Sequence, residues 1–381
     1  MTTEQNIPPA ESKKKKPKPK FFNPIAMLFN HIAATALLIS YLAPYISPEN
    51  FWFIAFFGLA YPVLVLVNLF FVIYWWVQLK KNAFYSLIII LSGWSHIQSY
   101  AQINPISVPD NSKKGFKVMS YNVKLFDLYN WTHNIETRGK MFELIKNESP
   151  DIMCIQEFFT SDSHDEFNNL DTLLKFQKAK YTHLEYTTTL RKIDHWGVAI
   201  FSSYPIVKNG KINFDTKSNN ICIYSDILIN KDTVRVYNVH LQSIRFDYED
   251  YKFVEDLMNN KETEELEKSK NILKRLKLAY IKRSKQTELV AAHVATSPYP
   301  VIICGDFNDT PAAYSYHTIS KNLKDAFIES GKGFGRTYVG KFPSFRIDYI
   351  LHSNHYKAYD FRTIRKELSD HFPIVTYLEK Q

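Results

Sequence analysis

The apolar residues change their pattern once along the chain, and that change limits the fold more than any composition figure. Up to about residue 105 they come in three long runs, 25–46, 51–77 and 83–103; from 117 onward they come in short β-branched runs between polar turns. A bilayer core accepts about 20 predominantly apolar residues per helix. The first run has only Asn30 and His31 as strongly polar interruptions, and the second is aromatic-rich and uncharged. The third starts at Ala83 and weakens into Ser95-His96-Ile97-Gln98-Ser99. A cleaved signal peptide has a shorter apolar region and no further spans behind it. The expectation is therefore a disordered basic tail over 1–20, then three transmembrane helices within 21–104. Six lysines precede the first run, none lies in 47–50, and Lys80-Lys81 separate the second from the third. The positive-inside rule puts the N-terminus and 78–82 in the cytoplasm. Three crossings then leave the rest of a multi-pass cell-membrane protein outside the cytoplasm, although Lys113, Lys114 and Lys117 pull the other way.

The net charge of +9 belongs mostly to the first part. Residues 1–115 hold 10 Lys and Arg against 4 Asp and Glu, and the remainder holds 37 against 34. Charge alone does not support a polyanion-coating protein. With 45% hydrophobic and 15% aromatic residues the chain can build a sizeable core. Cys154, Cys222 and Cys304 all lie inside apolar runs, without the CxxC spacing of a zinc or redox site. They read as small buried hydrophobes in strands.

After a linker over 105–116, the chain reads as mixed α/β. Apolar runs at 118–123, 151–156, 197–201, 221–229, 233–239, 301–303 and 347–351 have strand character. Between 250 and 295, helix formers carry Ile272, Leu273, Leu276, Leu278 and Ile281 at three-to-four spacing, which predicts one long or two consecutive amphipathic helices on a sheet. The Lys/Arg face of that stretch reads as a solvated face.

Chemistry gathers where strands stop. Five patches follow apolar runs: Ser120-Tyr121-Asn122, Ile155-Gln156-Glu157, Tyr237-Asn238-Val239-His240, Gly305-Asp306-Phe307-Asn308 and Ser369-Asp370-His371. One such residue is usually a turn former or cap. Five together suggest a site assembled at one sheet edge. Carboxylates and amide carbonyls are hard oxygen donors suited to Mg²⁺, with Mn²⁺ as the alternative. Histidines beside Asp suit proton transfer or stabilisation of developing charge. The chain has no GxSxG elbow, Walker A loop or GxGxxG segment.

The ordered set Asn122, Glu157, His240, Gly305-Asp306-Phe307-Asn308, Arg346-Ile347-Asp348-Tyr349 and Ser369-Asp370-His371-Phe372-Pro373 resembles the endonuclease/exonuclease/phosphatase superfamily across 117–378. The resemblance implies a four-layer αββα sandwich with the site at one edge of the paired sheets. It also implies that Glu157 is the principal metal ligand, with Asn122 beside it and Asp370 adding a contact. Asp306 would orient or deprotonate the attacking water, and Asn308 would position it. His371, partnered by Asp348, would hydrogen-bond the phosphoryl oxygen, and His240 would protonate the leaving group. Lys124 stands where several abasic-site members carry a carboxylate. It reads most simply as a solvated lysine, and otherwise as a phosphate contact, like Arg245 and Arg336.

These features point to a membrane-tethered, Mg²⁺-dependent phosphoesterase that hydrolyses a phosphodiester or phosphomonoester by in-line attack of water. Its partners would be a phosphate-ester substrate, nucleic acid or phospholipid head group, and the bilayer held by the N-terminal helices. The competing reading is a catalytically silent binding or scaffold module of the same fold.

Overall fold

The computed structural model describes residues 22–105, 115–163, 167–176, 178–214, 219–244, 265–339 and 345–381. The basic tail, most of the 105–116 linker and Arg245 lie outside the described residues.

The N-terminal part folds as helices α1 (Phe22–Ser40), α2 (Pro48–Phe51), α3 (Ile54–Leu59), α4 (Tyr61–Val77), α5 (Ala83–Ser92) and α6 (Trp94–Tyr100). Among the described residues, only α1 is long and apolar enough to cross a membrane, over Asn23–Ser40. This corrects the expectation of three spans. The second apolar run is broken by turns around Trp52 and Ala60, where Pro62 starts a new helix, so α4 keeps 17 residues. The third run is cut at Gly93, which leaves α5 with 10. Proline lacks the N–H that would continue a helix through its position, and glycine is a poor interior helix residue. The three longer helices pack with polar groups between them: Asn30 Nδ2 donates to Ser86 Oγ at 2.6 Å, and Trp75 Nε1 donates to Asn30 Oδ1 at 2.8 Å. Large apolar side chains such as Leu28, Phe29, Leu66, Phe70, Trp76 and Ile88 face outward and are exposed.

From Phe116 on, two six-stranded sheets lie face to face. The first runs β13 (Tyr356–Thr363), β14 (Ile374–Lys380), β2 (Phe116–Asn122), β3 (Ile152–Ser161), β5 (Asp194–Ser202), β4 (Tyr181–Leu190). The second runs β10 (Lys324–Asp325), β12 (Asp348–His352), β9 (Val301–Asp306), β8 (Asp232–His240), β7 (Ile221–Ile229), β6 (Ile206–Ile212). Each is antiparallel except for one central parallel pair, β2 with β3 and β8 with β9. Strand alternation sorts the layers. Val118, Ile152, Cys154 and Ile200 meet Ile223, Val236, Ile302 and Cys304 between the sheets. Met119, Met153 and Ile155 face outward onto Met141, Leu144 and Ile145 of helix α7 (Thr137–Glu148). Tyr237, Val239, Ile303 and Leu351 face the other way, toward Val290 of helix α9 (Glu265–Ala295) and Tyr316 and Ile319 of helix α10 (Tyr314–Ile319). This is the expected helix–sheet–sheet–helix sandwich. All three cysteines are buried and free, as their apolar contexts imply.

The expected strands all form, most of them extended by a few residues. The long amphipathic stretch is helical from Glu265; the part from 250 to 264 lies outside the described residues.

Candidate active site

Sheet register sets the site out in two rows. In the first sheet Asn122 stands opposite Gln156, one residue before Glu157. In the second, both His240 and Asp348 stand opposite Asp306. Asp306 can come this close because of the glycine before it. Gly305 has φ +149, and a Cβ there would lie 2.0 Å from Val239 O on the neighbouring strand. Three candidate site residues also hold left-handed backbone at some conformational cost, Lys124 (φ 44), Glu157 (φ 49) and Asn308 (φ 53). The β3–β5 pairing slips between Ile155 and Phe158, which breaks the strand alternation at Glu157.

The sheets are joined beneath the site by amides. Gln156 Nε2 donates to Asn238 Oδ1 at 2.7 Å, and Asn238 Nδ2 donates to the Ile155 and Ala199 carbonyls at 2.9 Å each. Their positions in the strand-end patches were visible in the sequence, but their pairing across the two sheets was not.

Asp306 Oδ2 is the hub. It accepts from Asn122 Nδ2 at 3.1 Å and from Asn308 Nδ2 at 3.1 Å, and it lies 3.7 Å from His371 Nε2 and 4.0 Å from His240 Nε2. Oδ1 accepts from the Asn308 backbone N–H at 2.8 Å. Burial, with the nearby Asp348 charge, pushes the Asp306 carboxyl up to about 6 against the opposing pull of His371 and His240. His371 Nδ1 lies 3.0 Å from Asp348 Oδ2. Burial disfavours the imidazolium, but the Asp348 and Asp306 carboxylates outweigh it and hold His371 well above the usual histidine range. Asp348 does not pair with its neighbour Arg346. That guanidinium is bound to Asp325, and the backbone N–H groups of Ile347 and Asp348 both donate to Thr337 Oγ1, at 3.0 and 3.1 Å. Thr337 was not foreseen, and a lone Thr in a short loop carries no signal of this role.

Glu157 is the open member, with its side chain 36% exposed and Oε1 3.8 Å from His240 Nε2. Burial and the Asp370 charge raise its carboxyl despite His371, Asn122 and Lys124. Lys124 is not simply solvated: Nζ lies 3.0 Å from Asp370 Oδ2 and 5.1 Å from the centre of the Trp131 ring. Arg336 is exposed, two residues before the Tyr338 bridge to His371, and among the described residues no ion pair ties it to the carboxylates.

Asp306, Asp348 and His371 present ligand atoms within 4.8 Å of one another. A histidine held protonated on a carboxylate has no lone pair for a metal, so this trio suits charge stabilisation better. Glu157, Asp370 and Asn122 supply hard oxygen donors of the type that suits a divalent cation. As placed, Asn122 aims Nδ2 at Glu157 Oε1 (3.4 Å) while Oδ1 accepts from the Lys124 backbone N–H at 3.1 Å.

Fold and site together define an α/β sandwich with a buried carboxylate, Asp306, set between two imidazoles at the sheet edge. A family model described as the Endonuclease/Exonuclease/phosphatase family matches residues 119–371, and one described as a domain of unknown function matches 20–100. The chain therefore belongs to the Endonuclease/Exonuclease/phosphatase family, whose members are hydrolases acting on phosphoester bonds. No curated protein matches it. A solved structure described as an endonuclease/exonuclease/phosphatase from Beutenbergia cavernae DSM 12333 shares the fold at 17% identity and TM-score 0.50, over 70% of this chain and 72% of that one. A family protein from Leptotrichia buccalis C-1013-b is 20% identical with TM-score 0.47, over 70% and 99% of the two chains. One from Bacteroides thetaiotaomicron is 17% identical with TM-score 0.49, over 71% and 99%.

Proposed function

We propose that the chain is a divalent-metal-dependent phosphoesterase that hydrolyses a phosphate ester by in-line attack of water at the Asp306 edge. The observation that carries this is the convergence of Asn122, Asn308, His240 and His371 on the single oxygen Asp306 Oδ2. A carboxyl held at about 6 is ionised at neutral pH yet basic enough to take a proton from water. The Asn308 amide, bonded to Leu241 O at 2.9 Å and to Asp306, keeps that carboxylate aimed. His371, charged and steadied by Asp348, donates to a phosphoryl oxygen as negative charge builds there. His240, between Glu157 and Asp306, is the acid for the leaving oxygen. Mg²⁺ or Mn²⁺ would be held by Glu157 with Asn122 and Asp370, and would supply Lewis-acid neutralisation of the phosphate.

The outward apolar surface of α1, α4 and α5, with its polar groups turned inward, supports a membrane-attached unit. The near-balanced charge of the sandwich and this attachment favour a lipid or envelope phosphodiester over nucleic acid. With α1 as the crossing helix, the lysines at 13–20 ahead of it favour an extracytoplasmic sandwich. The test is turnover of bis-(p-nitrophenyl) phosphate by the full chain with Mg²⁺, against Glu157→Ala. Equal rates for the two proteins would refute the reaction and favour the silent-module reading.

A further inference from the structure

The chain leaving the helical unit does not simply hang the sandwich on a tether. Strand β1 (Ala101–Ile103) pairs antiparallel with strand β11 (Lys332–Phe334), and the Tyr100 carbonyl accepts from Gly335 N–H at 3.2 Å. The Ser99 carbonyl at the end of α6 accepts from Arg346 Nη1 at 2.7 Å, and Arg346 is buried with its guanidinium 4.5 Å from the Phe327 ring centre. Two residues beyond Gly335 is Thr337, which holds the Asp348 amide, and two residues beyond Arg346 is Asp348 itself. The next contact reaches the other side of the site. A Cβ on Gly58 of α3 would lie 2.6 Å from Ala312 O, so the helical unit abuts the 309–313 turn that follows Asn308. Tyr349 Oη joins the two segments by donating to Asp309 O at 2.8 Å and Arg346 O at 2.9 Å.

We propose that the N-terminal helical unit is a positioning element of the active site: through Ser99, Tyr100 and Gly58 it clamps the two segments that carry Asn308 and Asp348, so that hydrolytic competence depends on its docking. Arg346 is the positioning residue on the sandwich side. This rests on the phosphoesterase reading, and the chemistry behind it is general: the reacting groups must hold near-attack geometry, and a misplacement of about 1 Å costs on the order of 100-fold in rate. A family core separated from the helices would keep every site residue and lose the clamp.

The experiment uses the full chain in detergent with Gly58→Val, which wedges the helices off Ala312, and Arg346→Lys, which keeps the charge but shortens the reach to Ser99 O. Leu66→Ala, on the outward apolar surface, is the control. Steady-state kinetics on bis-(p-nitrophenyl) phosphate are paired with amide hydrogen exchange of 306–313 and 345–352. The expected result is a kcat lowered about 10- to 100-fold with KM within about twofold in both variants, and exchange faster in those two segments but not in β2, β3 or β8. Wild-type kcat and exchange in either folded variant would overturn the proposal, as would exchange accelerated evenly through the sandwich, which is plain destabilisation. If Gly58→Val does not fold, Arg346→Lys decides. If the wild-type chain turns nothing over, the reaction reading falls while the exchange pattern still decides the clamp.

Discussion

Asp348→Asn separates charge from shape at the heart of the site. The asparagine keeps the side-chain volume and an oxygen that accepts from His371 Nδ1, and removes one negative charge 3.0 Å away. At an effective dielectric near 20, two unit charges at that distance attract by about 5 kcal/mol. Asp306, at 3.7 Å from His371 Nε2, supplies roughly 4 kcal/mol on the same reckoning and remains in the mutant. About half of what opposes the desolvation of the imidazolium is therefore lost. The folded-state pKa of His371 should fall. Because the active form is the charged one, the alkaline limb of the kcat/KM profile moves to lower pH. At pH 7 the rate should drop by about 10- to 100-fold, less than the 10²–10⁴ expected for His371→Ala, which removes the donor altogether. The double variant should be no worse than His371→Ala, since the two groups act as one unit. The assay is a pH–rate series on bis-(p-nitrophenyl) phosphate at saturating Mg²⁺. An unmoved alkaline limb, or mutational losses that multiply, would refute the coupled-pair argument.

EDTA should abolish turnover, and Mg²⁺ or Mn²⁺ should restore it; recovery with Zn²⁺ alone would contradict the oxygen-donor set of Glu157, Asn122 and Asp370. The acid limb of kcat/KM should lie near pH 6, where Asp306 gains its proton, and Asp306→Asn should remove activity across the whole pH range. Gly305→Ala should destabilise the fold by about 3 kcal/mol or more in a denaturant titration, because its Cβ meets Val239 O at 2.0 Å. Glu329 should add acid sensitivity. Burial opposes its charge, but His352 at 3.1 Å and the Ala358 N–H hold it down to about 2, so its stabilisation is complete above the unfolded carboxylate pKa and fades as pH falls toward 2. Glu329→Gln should flatten that part of the stability curve.

Much of the sandwich was legible because its signals are local. The β-branched runs at 221–229 and 233–239 read as strand from side-chain type alone, and Asn122, His240 and Asp306 close their strands as expected, whereas Glu157 falls inside β3 and Ser369-Asp370-His371 precedes β14 rather than following a strand. Helix ends in the apolar part were read less well, because hydropathy sums over a window and does not register that Pro62 and Gly93 break the hydrogen-bond ladder inside it. The pairing of Lys124 with Asp370 and its approach to Trp131 are not legible locally, because both partners come from outside its own strand end.

Residue types and their order were enough to show which groups are available, carboxylates, amides and imidazoles, and to carry the family resemblance through Gly305-Asp306-Phe307-Asn308 and Ser369-Asp370-His371. Distance belongs to the tertiary structure. Sheet register put His240 and Asp348 opposite Asp306, and the crossing of two sheets brought Asn122 to the same oxygen. Burial raises Asp306 to about 6, while the Asp348 and Asp306 carboxylates outweigh burial and hold His371 above the usual histidine range, because a desolvated site makes each charge answer to its neighbours rather than to water. The same holds for Arg346, whose motif placed it beside Asp348 and whose fold sends it to Asp325 and to the Ser99 carbonyl of the N-terminal helices.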